Sequence, residues 1–82
     1  MLTLEFTIEP FVEGQPGPHV LAAVAAAEAL GVDVDFGPFG SSCTVADDRA
    51  GELARAVIDA AFANGATHVL LTTDRAPAEA GG

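Results

Sequence analysis

Leu2, Leu4, Phe6 and Ile8 alternate with Thr3, Glu5, Thr7 and Glu9 over eight uninterrupted residues. Successive side chains of a strand point to opposite faces. The segment therefore predicts a strand with one apolar face and one face of two carboxylates and two hydroxyls. An apolar strand face has to be covered by a second layer. The 82 residues available are enough for one small domain in which that layer is thin.

The rest of the chain predicts how the layer is built. Residues 10–18 hold three Pro and two Gly and read as a loop, with Pro18 placed as a first helical residue. A helix follows from His19 to Leu30, with Val20, Leu21, Val24 and Leu30 as its larger apolar residues and Gly31 as its left-handed stop. Alternation returns at Val32–Phe36, breaks at Gly37–Gly40 and resumes weakly over Ser41–Val45, giving two further strands. Asp47 or Asp48 is expected to cap a second helix carried by Leu53, Val57, Ile58 and Phe62 and ended by Asn64-Gly65. His68–Thr73 is a compact apolar strand.

The order strand, helix, strand, strand, helix, strand predicts an α+β fold, the ferredoxin-like βαββαβ sandwich, with two helices on one face of an antiparallel sheet. Residues 1–75 read as a single domain and 76–82 as a flexible tail of small residues. The open face would carry Thr3, Glu5, Thr7 and Glu9. His68, Leu70 and Thr72 join them if the last strand turns its even residues that way. The thin, Ala-rich core and this uncovered face predict a homo-oligomer joined through the sheet.

Charge narrows the partners. Twelve Asp and Glu stand against three Arg and no Lys, for a net charge of −9. Nucleic acid binding requires cations to neutralise phosphates, so nucleic acid and anionic membranes are poor partners. Cationic or neutral ligands suit the field better. One cysteine, no basic N-terminal region and no apolar run of membrane-spanning length predict a cytoplasmic protein without disulfides.

Catalytic chemistry finds little support. His19, Cys43 and His68 stand alone, without a second ligand at metal-binding spacing, so no metal site is expected. Cys43 lies mid-strand in an acidic chain, a setting for packing rather than nucleophilic attack. Glu5 and Glu9 are about 13 Å apart along one strand, too far to act as a joint acid and base. Gly37–Gly40 has neither the Lys nor the following helix of a phosphate loop. What remains is a binding inventory: Phe rings to stack, Ser and Thr to hydrogen-bond, Glu to attract a cation.

Four segments carry a resemblance. They are Phe6-Thr7-Ile8-Glu9-Pro10-Phe11-Val12-Glu13-Gly14, Gly17-Pro18-His19-Val20, Gly37-Pro38-Phe39-Gly40-Ser41-Ser42 and Asn64-Gly65-Ala66-Thr67-His68-Val69. In order and spacing they resemble the small thiamine-binding proteins of the YkoF-like group, over residues 2–73. The resemblance implies a ferredoxin-like domain that assembles through its sheet as dimers or tetramers. It implies non-enzymatic binding of thiamine or its hydroxymethylpyrimidine part, as carrier, buffer or sensor, with thiamine as ligand and no cofactor. The positions it transfers to this chain are Glu9, Phe11, His19, Phe39, Ser41 and Ser42. The chain departs from the group's pattern at Thr44-Val45-Ala46 and in a last strand that reads as short. A structural or regulatory oligomerisation domain without a small ligand is the alternative expectation.

Overall fold

The structure is a computed structural model that describes residues 1–10, 17–37 and 40–75. Its elements run β1 (Leu2–Glu9), α1 (Pro18–Ala29), β2 (Asp35–Phe36), β3 (Ser41–Val45), a 3-10 turn (Asp47–Arg49), α2 (Ala50–Ala63) and β4 (His68–Arg75). The four strands form one antiparallel sheet in the order β2-β3-β1-β4. This is the βαββαβ ferredoxin-like arrangement that the element order predicts.

β1 does what its alternation requires. Leu4, Phe6 and Ile8 are buried, and Glu5 and Glu9 are exposed on the other face. The core joins them to Cys43 and Val45 of β3, Ala23 and Ala27 of α1, and Ala50, Leu53, Val57 and Ala61 of α2. The Cys43 thiol is pushed above its usual titration range by burial.

Alanine governs the helix layer. α1 buries His19, Ala23 and Ala27, and α2 buries Ala50, Leu53, Val57 and Ala61. Leu21 of α1 and Ile58 and Phe62 of α2, all three read as apolar positions of their helices, are exposed. Alanine at these buried positions lets the helix layer pack closely, with the bulkier Leu21, Ile58 and Phe62 on its outer side.

The helix ends follow their punctuation, with one correction. Pro18 opens α1, and Gly31 just beyond it has a φ of +86°, a conformation glycine adopts without steric cost. Asn64 ends α2 and donates from its side chain to the Ala60 carbonyl at 2.8 Å. Neither Asp47 nor Asp48 caps α2; the N-cap is Arg49, without a side-chain capping bond. Asp47 is committed elsewhere. Its Oδ2 accepts from Arg75 at 2.8 Å, and its Oδ1 lies 2.9 Å from the Met1 amine. The Arg75 hydrogen bond, then the Met1 amine, hold the Asp47 carboxyl down to about 2.

Two strands differ from expectation in length. β2 is two residues rather than 32–36. Val32 and Val34 turn toward the core instead, half-buried against it, which draws this segment out of the ladder. β4 extends through Asp74 and Arg75, each paired with β1, so the last strand is not short. Its end is held by the Arg75–Asp47 ion pair. Among the described residues no helix is long and apolar enough to cross a membrane.

Candidate functional site

Strand register assembles the open face row by row. Glu9 lies opposite His68, Thr7 opposite Leu70, Glu5 opposite Thr72 and Thr3 opposite Asp74. On the other flank of β1, Glu5 pairs with Ser42 and Thr3 with Thr44, and Ser42 in turn pairs with Asp35 of β2. Opposed residues on neighbouring strands share a face. The even residues of β4 therefore do turn toward the open side, and that face carries the carboxylates of Glu5, Glu9, Asp35 and Asp74 among hydroxyls.

The three arginines lie off this face, each beside a carboxylate. Arg49 pairs with Glu52 at 3.1 Å, Arg55 with Asp59 at 3.5 Å and Arg75 with Asp47 at 2.8 Å. The first two belong to the helix side. Arg75 falls in the row of Leu2, one position out of phase with the open-face residues.

The end of the sheet at Glu9 is built by close backbone approach. Thr67 donates to the Glu9 carbonyl twice, from its N–H at 2.8 Å and from its hydroxyl at 3.3 Å. The Gly37 N–H donates to the Gly40 carbonyl at 2.8 Å and closes the β2–β3 connection. A methyl group on Gly40 would stand 3.0 Å from Thr7 Oγ1 and 3.3 Å from the Phe6 carbonyl. Gly40 thus lies against β1, beside Phe6 and Thr7.

The transferred positions fall into different layers. Glu9 is exposed at the end of β1, with its Oε2 4.0 Å from His68 Nε2. Ser42 is half-buried on the open face beside Glu5, four β1 residues from Glu9. Ser41 is buried on the opposite side, paired with Phe6. His19 is buried, and its Nε2 donates to the Pro10 carbonyl at 2.6 Å. Since a carbonyl only accepts, that nitrogen carries the proton. His19 thereby ties the start of α1 to the residue that follows β1. A side chain on Gly17 would collide with its ring. Phe11 and Phe39 lie outside the described residues.

The structure thus brings Glu9 and Ser42 to one surface and places Ser41 and His19 beneath it. It adds Glu5, Thr7 and His68 to the same surface, neighbours that the alternation of single strands suggests and that the β1–β4 register confirms. A cleft of about 630 Å³ opens farther along, where β2 is too short to cover Cys43–Val45. Thr3, Asp35, Ser42 and Thr44 line its sheet side, and of the transferred positions among the described residues only Ser42 reaches it.

The chain matches no family model and no curated protein. It is similar in structure to a domain of unknown function, DUF77, from Bacillus cereus, with a TM-score of 0.53 and 18% identity. That likeness covers 89% of this chain and 71% of the other. It is also similar to the crystal structure of protein SP2199 from Streptococcus pneumoniae, with a TM-score of 0.54 and 17% identity, over 89% of this chain and 81% of that one. At such identities the likeness is one of fold.

Proposed function

We propose that the protein binds thiamine, or its hydroxymethylpyrimidine part, without catalysis, and serves as a carrier, buffer or sensor. The observation that carries the reading is the segregation of charge. Glu5, Glu9, Asp35 and Asp74 share the open sheet face, while every arginine is held by a carboxylate elsewhere. Such a face attracts a cationic heterocycle and repels phosphate. The four motif segments that resemble the YkoF-like group support the same reading.

In this reading the Glu9 carboxylate faces the cationic thiazolium or a protonated pyrimidine. Thr7 and Ser42 offer hydroxyls along the same face. A carboxylate meeting an unprotonated ring nitrogen would set two acceptors against each other, so the ring or the acid must carry the proton. Isothermal calorimetry with thiamine tests the reading. Binding with one site or fewer per chain supports it, and absence of heat and of any thermal shift at millimolar thiamine refutes it. A ligand at 100 times its dissociation constant stabilises by about 2.7 kcal/mol, which a melting experiment resolves.

Assembly through the open face belongs to the same proposal. Leu70 is 56% exposed there, directly opposite Thr7 in the ladder. A second copy laid on this face would cover it. Sedimentation equilibrium at micromolar protein decides the point, and a single 8.2 kDa species would refute assembly.

A further inference from the structure

We infer that His68 sets the charge preference at the Glu9 end of the open face, its protonated imidazole competing with a cationic ligand for the Glu9 carboxylate. The inference rests on reading that face as a surface for cations. Glu9 and His68 are direct partners across the β1–β4 ladder, and their side chains stand 4.0 Å apart with both more than half exposed. The backbone beneath them is fixed on both strands, because Thr67 donates its N–H and hydroxyl to the Glu9 carbonyl. Two side chains raised from locked neighbouring positions meet without any movement of the chain.

The surrounding charges leave this pair isolated in sign. Glu5 on β1, Asp74 on β4 and Asp35 on β2 are the other ionisable groups of the face, all acidic. From the helix layer, His19 of α1 approaches this end but spends its Nε2 on the Pro10 carbonyl. Arg49, Arg55 and Arg75 are paired elsewhere. His68 is therefore the one basic side chain on the open face among the described residues. An imidazole changes charge between pH 5 and 8. Neutral, it leaves Glu9 to the ligand; protonated, it supplies an internal counterion that a cation has to displace.

The effect is modest because the pair is exposed. Unit charges about 4 Å apart in water interact by roughly a factor of five, and exposed pairs deliver that or less. Thiamine titrations of wild type, His68→Gln and His68→Arg at pH 5.5 and 8 read it. The ligand's own protonation cancels in the ratio of two proteins at one pH. Relative to His68→Gln, wild type should bind about two- to fivefold more weakly at pH 5.5 and equally at pH 8. His68→Arg should bind more weakly at both. A ratio that does not change with pH overturns the inference.

A measurement without ligand separates this inference from the thiamine reading. The carboxyl carbon resonance of Glu9 should move between about pH 6 and 8.5, above the range in which carboxyl groups themselves ionise, in wild type and stay still in His68→Gln. If it stays still in both, the pairing is overturned whether or not thiamine binds. If it moves while no protein binds thiamine, the pairing stands and the thiamine reading falls alone.

Discussion

Leu4, Phe6 and Ile8 leave β1 on one side and are buried in the cluster that contains Leu53 and Val57; Glu5 and Glu9 leave the same strand on the other side and are exposed. The two faces share a backbone, yet they are under different physical demands. The covered face holds the fold together by removing apolar area from water. The open face contributes little to the stability of the single chain, where its charges are solvated. A surface that folding does not need is one on which binding groups can be arranged at small cost, and here the arrangement is uniformly acidic apart from His68.

Substitutions on the two faces should therefore separate stability from affinity. The largest effect is expected at Phe6, 2% exposed in the centre of the core. Phe6→Ala should cost about 3–5 kcal/mol, a large part of the stability of so small a domain. A urea midpoint close to that of wild type would show that the covered face is not what holds the fold. Glu9→Gln should do the reverse. Losing a charge-assisted hydrogen bond of about 1.5–3 kcal/mol weakens thiamine roughly ten- to a hundredfold, with the urea midpoint unchanged. An unchanged dissociation constant would remove Glu9 from the site.

The junction of the two faces is sharpened by Gly17→Ala. The added methyl collides with the His19 ring, which is tied to Pro10. Overpacking of this kind costs about 1–3 kcal/mol, measurable as a lower urea midpoint. A ligand change probes the open face alone. Thiamine diphosphate should bind about fivefold or more weakly than thiamine at matched low salt, since no arginine of the chain lies on that face. Tighter binding of the diphosphate would mean that a cation reaches the face from elsewhere.

The smallest effect is expected at Asp47, at the far end of the sheet. Its carboxyl titrates at about 2 when folded rather than at 3.8, chiefly because Arg75 donates to it. A lowered carboxylate favours the folded state above pH 3.8, and that contribution fades as pH falls toward about 2. Thermal melts across this range should show a shallower pH dependence in Asp47→Asn than in wild type. Equal slopes would show that the Arg75–Asp47 pair does not act on folding in solution.

The fold was legible because each element carried its own periodicity or stop signal. The alternation of residues 2–9, Pro18, Gly31 and Asn64-Gly65 act through local sterics and are read one segment at a time. The core was less legible. Leu21, Ile58 and Phe62 have the hydrophobicity of core residues, but the helices bury Ala23, Ala27 and Ala61, and which positions are covered depends on how the helix layer packs. The capping expected of Asp47 is absent for a similar reason. A side chain that caps helices well was claimed by Arg75, 28 residues away.

The candidate site shows the same division. From one strand's alternation alone, Glu5 and Glu9 belong to a polar face, and an acidic chain without lysine disfavours phosphate. Those conclusions need only the two-residue period and Coulomb's law, both contained in the sequence. Which residues meet on that face depends on register across strands that are distant in the chain. The register of β1 with β4 sets His68 beside Glu9, and that of β1 with β3 sets Ser42 beside Glu5 and Ser41 beneath, next to Phe6. A shift of one residue would exchange the faces. Burial of the whole apolar set selects the register, and only the assembled tertiary structure decides it.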